Sequence, residues 1–222
     1  MRKPLSKIYA KIKNKFFPSI FTKEVRRWYL DGGDRRLRFN YELMPDSIVF
    51  DLGGFEGDFA SDLYSKMPCR IYSFEPIKSY AADIVNRFRL NPDISVFNYG
   101  LSCSDQTVDI SIDGPGSSVH RTSFGTTEQI VLRDITKVML ELNVDKIDLL
   151  KINIEGGEYD VLPKIIDANL LPRIANLQIQ FHEIDSDSLA KKDRIRKMLE
   201  LTHDCVYCYE FVWEDWRIKG SL

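Results

Sequence analysis

The stretch Val49-Phe50-Asp51-Leu52-Gly53-Gly54-Phe55-Glu56-Gly57 decides the fold of this chain. An apolar run ends in an acid and then turns through glycines into a helical pattern. Glycines let a backbone turn sharply and approach a ligand closely. The next apolar run ends in Ser73-Phe74-Glu75-Pro76. A carboxylate at this place is suited to accept hydrogen bonds from both hydroxyls of a ribose. The two segments predict a nucleoside-type cofactor across the carboxyl ends of two adjacent parallel strands.

The glycine spacing and the charges indicate which cofactor this is. A dinucleotide site favours G-x-G-x-x-G, which the residues from Gly53 to Asp58 do not form. Asp51 and Glu56 would also repel a pyrophosphate. S-adenosylmethionine has no phosphate and carries a cationic sulfonium and ammonium, so acids suit it. These residues favour a methyltransferase, and a different α/β enzyme is the alternative.

The composition is that of a single cytosolic domain. A chain of 222 residues has room for a sizeable core. Its formal net charge of −2 does not indicate a nucleic-acid binder, and four cysteines do not make a disulfide framework. No apolar run is long enough to span a bilayer or to serve as a signal-peptide core. We therefore expect a cytoplasmic protein.

The first segment differs from the rest. An apolar helical face opposes a lysine-rich one before Pro18, and Arg26 and Arg27 extend the basic character. The apolar face consists of Leu5, Ile8, Tyr9, Ile12 and Phe16, and the basic side of Lys3, Lys7, Lys11 and Lys15. Residues 1–27 could lie on an anionic membrane or a partner, although a helix that caps the core is favoured. We predict a helical extension over 1–45 and a cofactor-binding domain over 46–222.

From residue 48 onward, predicted strands and helices alternate. The strands are 48–52, 70–75, 94–98, 108–112, 129–132, 147–152 and 174–181, with a closing hairpin of 205–213 and 216–219. The helices are 58–66, 77–90, 134–142, 158–168 and 189–201. This alternation predicts an α/β fold with a mostly parallel, doubly wound sheet and an antiparallel hairpin at its end. Ligands bind such sheets at the carboxyl ends of the strands.

Polar residues follow the central strand in Leu150-Lys151-Ile152-Asn153-Ile154-Glu155-Gly156-Gly157-Glu158. Glu158 has an alternative role as a first-turn acid favoured by the helix dipole. No cap role explains Glu155, and the next strand ends in Gln180-Phe181-His182-Glu183. Because consecutive strands of this order lie side by side, we expect His182 and Glu155 to converge. His182 is the preferred general base, and Glu155 is its orienting partner or the alternative base.

These segments, together with Asn98-Tyr99-Gly100-Leu101-Ser102, resemble the FkbM-type methyltransferase family over roughly residues 46–184. The resemblance implies a class I, Rossmann-like fold and an S-adenosylmethionine-dependent O-methyltransferase acting on a sugar hydroxyl, in a nucleotide sugar or surface glycan, or on a related small molecule. Members of the family occur in surface-polysaccharide biosynthesis. Two departures stand out. Gly54 and Phe55 replace the family's Ala-Asn, and Asn153 replaces an Asp.

The expected cofactor-binding residues lie in four of these segments. They are Asp51, Gly53, Gly54, Gly57, Glu75, Pro76, Gly100, Leu101, Ser102 and Asn153.

Three rival functions stay open. A nucleic-acid methyltransferase would often show N-P-P-[YF] after the central strand, which Asn153-Ile154-Glu155 lacks, so no nucleic-acid partner is expected. A divalent-metal-dependent enzyme could use Glu155, Glu158 and His182 as ligands. A non-catalytic cofactor-binding protein would need no base.

Overall fold

A computed structural model describes residues 19–111 and 127–220. The strands are β1 (Ile48–Leu52), β2 (Arg70–Phe74), β3 (Ile94–Phe97), β4 (Gly100–Ser102), β5 (Gln106–Ser111), β6 (Thr127–Asp134), β7 (Leu149–Ile152), β8 (Asn176–Ile179), β9 (His203–Tyr209) and β10 (Trp213–Ile218). The helices are α1 (Ile20–Leu30), α2 (Asp58–Lys66), α3 (Lys78–Phe88), α4 (Ile135–Glu141), α5 (Glu158–Asp167) and α6 (Ser188–Leu199). Short 3-10 turns cover Leu37–Phe39 and Leu171–Arg173.

Seven strands form the central sheet in the order β3-β2-β1-β7-β8-β10-β9. The pairs from β3 to β8 are parallel, and β10 is antiparallel to both β8 and β9. The strand order reverses between β1 and β7, so the carboxyl ends of these two strands flank the switch point where doubly wound sheets bind ligands. The predicted α/β fold with a mostly parallel sheet and a closing hairpin is confirmed.

The two faces of the sheet carry separate apolar cores because side chains alternate along each strand. Phe50, Leu150 and Ile152 point to one face, which α4, α5 and α6 cover. Val49 and Leu149 point to the other, where residues of α2 and the Tyr41–Leu43 segment pack against them. These strands are therefore buried on both sides, as their nearly continuous apolar sequences require.

A second, three-stranded sheet has the order β4-β6-β5. The sequence does not predict β4, since Gly100-Leu101-Ser102 is too short to show a periodicity. Ile110 of β5 and Ile130 of β6 pack with Ile77, at the start of the loop-to-helix segment after β2. The small sheet is thereby fixed against the carboxyl edge of the large one.

The closing hairpin turns earlier than the sequence predicts. The predicted end of the first hairpin strand at Trp213 is wrong, because Trp213 begins β10. The turn lies at 210–212, where Phe211 has φ +56°. No glycine or proline marks this turn in the sequence. Trp213 and Trp216 are buried core residues.

Part of the N-terminal extension packs on the sheet. Trp28 of α1 contacts Tyr209 edge-to-face at 5.1 Å, and its indole donates to Asp34. The residues of the predicted amphipathic helix before Pro18 lie outside the described part. Among the described residues, no helix is both long and apolar enough to cross a membrane.

Candidate functional site

A cavity opens at the carboxyl ends of β1, β2 and β7, where doubly wound sheets bind ligands. The three-stranded sheet forms one of its walls. The lining residues are Gly53, Phe55, Phe74, Glu75, Pro76, Ile77, Tyr80, Gly100, Leu101, Ser102, Ile110, Ile130, Leu132, Asn153, Ile154, Glu155, Gly157 and Asp160. Most of this wall is apolar, and its charged members are acids.

The turn after β1 forms the floor of the cavity. Gly53 has φ +81°, and a Cβ there would lie 2.1 Å from the carbonyl oxygen of Asn153. At Gly54 a Cβ would lie 2.3 Å from Ser73 Oγ. Only glycine fits at Gly53, so the turns after β1 and β7 can lie in direct contact, whereas a side chain at Gly54 would displace that of Ser73. Gly57 is the N-cap residue of α2. Neither Gly54 nor Gly57 lines the cavity, and both act through the shape of the turn.

Asp51 lies behind this turn and does not line the cavity. Its side chain is fully buried, and Oδ1 accepts from Lys151 Nζ at 2.8 Å. Oδ2 accepts from Ser73 Oγ at 3.2 Å. Both oxygens have partners inside the sheet, so the cofactor contact expected of Asp51 is replaced by support of the turn.

Glu75 lies in the cavity wall with both carboxylate oxygens on backbone amides. Oε2 accepts from the Phe55 amide at 2.8 Å and Oε1 from the Ile77 amide at 2.9 Å. Burial raises the pKa of Glu75 to about 7, against the opposing effect of these amides and of Lys151. Each oxygen keeps a further lone pair for a ligand hydroxyl. Pro76, Gly100, Leu101 and Ser102 extend the same wall.

Glu155 and His182 do converge, and a third residue, Glu158, joins them. His182 Nε2 lies 3.3 Å from Glu155 Oε1, and Nδ1 lies 3.0 Å from Glu158 Oε1. Glu158 also accepts from the His182 amide at 2.7 Å and from the Gly156 amide at 2.8 Å. The fully buried Glu158 therefore ties the loop after β7 to the loop after β8. This role goes beyond that of a first-turn acid.

The charges around His182 determine its protonation. Burial by itself lowers the pKa of His182, but the hydrogen bonds and charges of Glu155 and Glu158 outweigh that effect and raise the pKa to about 9. At neutral pH the ring is an imidazolium, which has no lone pair to accept a proton. His182 also does not line the cavity, whereas Glu155 does. The geometry favours Glu155 over His182 as the proton acceptor.

A family model described as the methyltransferase FkbM domain matches residues 51–209, which is most of the chain. The chain belongs to the FkbM methyltransferase family. The match includes the glycine turn, Glu75, Glu155 and His182. The FkbM domain is thus an S-adenosylmethionine-dependent methyltransferase domain, as the resemblance implies.

The individual relatives of this FkbM domain are distant. The AMB antimetabolite synthetase AmbE of Pseudomonas aeruginosa is 22% identical over 200 residues. That match covers 71% of this chain but 9% of AmbE, so the chain spans only a small part of this relative's length.

Two solved structures show similar folds. One is from Clostridium thermocellum, and its assignment as an rRNA methylase is provisional. It has a TM-score of 0.52 at 9% identity and covers 84% of this chain and 94% of that one. The other, Aeropyrum pernix fibrillarin in complex with natively bound S-adenosyl-L-methionine, has a TM-score of 0.45 at 14% identity, over 78% and 67% of the two chains. The first establishes the methyltransferase fold alone.

The site of the FkbM domain fits its cofactor. Among the described lining residues the charged side chains are Glu75, Glu155 and Asp160, which suit a cationic sulfonium and ammonium. Asn153 Oδ1 is buried at the cavity without a hydrogen-bond partner in the described part of the chain. A buried acceptor of this kind requires a donor, which an ammonium group provides.

The sequence misses several cavity residues of the FkbM domain. Phe55 and Tyr80 pair edge-to-face at 4.8 Å, and Ile110, Ile130 and Leu132 reach the cavity from β5 and β6. Phe55 could have been predicted to line the cavity, because it adjoins the glycine turn. Ile110 and Ile130 could not, because their position at the cavity depends on how the small sheet packs.

The three proposed metal ligands of the rival mechanism do lie together. Glu155 and Glu158 flank His182 at ion-pair distances. In the described ranges, no group of three or more His, Cys, Asp or Glu side chains has the arrangement of a metal site. Metal dependence therefore stays a question for chelation experiments.

Proposed function

We propose that this FkbM domain transfers a methyl group from S-adenosylmethionine to a hydroxyl of a carbohydrate or a related small molecule. The observation that carries the proposal is Glu155, a carboxylate in the wall of a cavity that also holds Glu75 and Asn153. The acceptor class comes from the resemblance to the family, which includes O-methyltransferases acting on sugars and on polyketide natural products.

Each end of the cofactor has matching groups. Glu75 would accept from the ribose hydroxyls, and Asn153 Oδ1 would accept from the ammonium. Leu101 and Ser102 would border the adenine, together with the isoleucines of the small sheet. The charged residues of the described wall are all acids and would repel a pyrophosphate. The site therefore differs from a dinucleotide-binding site.

When bound, the cofactor supplies an electrophilic methyl group. The protein must hold the acceptor oxygen in line with that methyl group, and it must take up the hydroxyl proton. With the cofactor bound, Glu155 would take up the hydroxyl proton as the acceptor oxygen gains the methyl group. His182 holds the Glu155 carboxylate through their 3.3 Å ion pair, and Glu158 holds His182. In this proposal His182 is a positioning residue and Glu155 is the base.

A nucleic-acid acceptor is the main rival, because the similar C. thermocellum structure carries that provisional assignment. Binding to a phosphate backbone depends on lysine and arginine contacts. No described residue of the cavity wall is a lysine or an arginine. This favours a neutral hydroxyl acceptor and no nucleic-acid partner.

The test is methyl transfer from radiolabelled S-adenosylmethionine to nucleotide sugars, glycans and RNA. Glu155→Gln is the matched variant, since it keeps the shape of the side chain and removes its basicity. Transfer to a sugar hydroxyl that Glu155→Gln abolishes supports the proposal. Transfer to RNA alone would contradict it.

Cytoplasmic location with peripheral membrane contact through residues 1–27 is a further proposal. The solvent side of α1 supports it. Ile20 and Leu30 are 70% and 86% exposed there, beside the exposed Lys23 and Arg26. A face of this composition suits an anionic lipid surface.

A further inference from the structure

A row of polar side chains crosses the central sheet beneath the cavity. Residues in register on adjacent strands project to the same face. The register pairs Ser73 with Asp51, Asp51 with Lys151, Lys151 with Gln178, Gln178 with Asp215 and Asp215 with Tyr207. We call Ser73, Asp51, Lys151, Gln178, Asp215 and Tyr207 the polar row. Such a row is unusual on a sheet face that otherwise carries Val49, Ile71 and Leu149.

Lys151 is the member of the polar row that contacts the cofactor turn. Its ammonium has three protons, and three acceptors surround it. Asp51 Oδ1 lies at 2.8 Å, Leu52 O at 3.2 Å and Gly53 O at 2.8 Å. These acceptors belong to consecutive residues, at the point where β1 ends and the turn begins. One buried cation therefore fixes the direction in which the chain leaves the sheet.

The pairing with Asp51 is what lets a cation lie there. Burying an ammonium without a partner is strongly unfavourable, and Lys151 is 2% exposed. Ser73 orients the other oxygen of Asp51. Asp51 thus holds Lys151, and Lys151 holds the carbonyls of Leu52 and Gly53.

We propose that Lys151 is a positioning residue for cofactor binding. It does not line the cavity and acts through Gly53, a residue that does. An apolar pair in place of Asp51 and Lys151 could fill the same volume, but it would remove the lysine donor from the Gly53 carbonyl, whereas the Leu52 carbonyl would keep the Asn153 amide as a donor. The proposal rests on the proposed function, since it concerns affinity for that cofactor.

The experiment measures S-adenosylhomocysteine binding by calorimetry and thermal unfolding on the same samples. The variant Asp51→Asn/Lys151→Met removes both charges together, which avoids a lone buried charge. Asp51→Asn/Lys151→Gln is its backup, because an amide pair keeps one hydrogen bond between the two positions. Gln178→Met is the matched control, since it is in the polar row and equally buried but has no contact with the turn.

We expect the double variants to bind S-adenosylhomocysteine about tenfold or more weakly than the wild type. Their unfolding temperatures should lie between those of the wild type and Gln178→Met. The affinity of Gln178→Met should stay near that of the wild type. Wild-type affinity in a folded double variant would overturn the positioning role. An equal loss of affinity in Gln178→Met would also overturn it, because the effect would then be one of general stability. Failure of the proposed function is distinguishable, since the wild-type protein itself would then not bind the ligand.

Discussion

The protonation state of His182 makes a prediction that separates the two possible bases. A histidine whose folded pKa is raised stabilises the fold below its unfolded pKa, and this stabilisation is lost as the pH rises through the folded value. For His182 the folded pKa is about 9, against an ordinary histidine value of 6.5. Between these two values the folded protein holds a proton that the unfolded chain has released.

The magnitude follows from the slope of that linkage. Each pH unit in this window costs about 1.4 kcal/mol, so the interval from pH 7 to pH 8.5 removes about 2 kcal/mol from the free energy of unfolding. For a domain of this size the melting temperature should fall by about 4–8 °C. We limit the measurement to pH 8.5 because the thiols begin to ionise in the unfolded chain above that pH. In the folded protein, burial raises the pKa values of Cys69 and Cys205 to about 11 and of Cys208 to about 12. Above pH 8.5 this difference would add a second pH dependence to the free energy of unfolding.

The assay is urea unfolding of the wild type and of His182→Gln at several pH values within this window. The wild type should lose stability with rising pH, and the variant should lack most of that slope. Nuclear magnetic resonance gives a direct check, since the chain has only three histidines and one ring should titrate near pH 9. If the free energy of unfolding depends on pH equally in the wild type and in His182→Gln, and the His182 ring titrates near 6.5, His182 is not protonated at neutral pH. That result would restore His182 as the general base.

Three further predictions concern the cofactor, the proton acceptor and the N-terminal helix. Because burial raises the pKa of Glu75 to about 7, S-adenosylhomocysteine affinity should fall as the pH drops from 8 to 6, and Glu75→Gln should bind more weakly, by about 1.5–3 kcal/mol, with a flat pH profile in calorimetry. Glu155→Gln should lower kcat by about a hundredfold with little change in S-adenosylhomocysteine affinity. Activity that survives EDTA supports direct base catalysis, whereas loss that Mg²⁺ or Mn²⁺ restores would make Glu155 and His182 metal ligands. Anionic liposomes should sediment the protein in a salt-sensitive way that Ile20→Ser/Leu30→Ser weakens, and equal sedimentation with neutral liposomes would contradict the membrane proposal.

The large sheet could be predicted from the sequence because its strands are buried on both faces. The run Ile48–Leu52 is apolar apart from Asp51, and the same holds for Leu149–Ile152 apart from Lys151. The two exceptions pair with each other. A sequence shows each charge separately, so Asp51 looked like a ligand contact. Only the register of β1 and β7 reveals that the two charges neutralise each other inside the sheet.

The convergence of Glu155 and His182 could also be predicted, but their roles could not. Sequence order places the ends of β7 and β8 side by side, which brings the two residues together. The protonation of His182 depends on Glu155 and also on Glu158, whose fully buried carboxylate reaches back across the loop. Such a contact has no signature in spacing, because Glu158 is equally plausible as a first-turn acid.

Backbone strain supports the functional reading of the two turns at the cavity. Outside glycine, positive φ occurs in the described residues at Phe55, Asn143, Glu155, Asn169 and Phe211. The two asparagines follow helices, where this residue type tolerates the left-handed region. Phe55 and Glu155 have no such preference, and each such conformation costs about 1 kcal/mol or more. Both line the cavity, at φ +50° and +51°. Glycine would remove the strain at either position, but it would also remove an aromatic ring from the cofactor wall or the carboxylate from the reacting end. The chain retains strained side chains on both turns, which is expected where the side chain itself is needed.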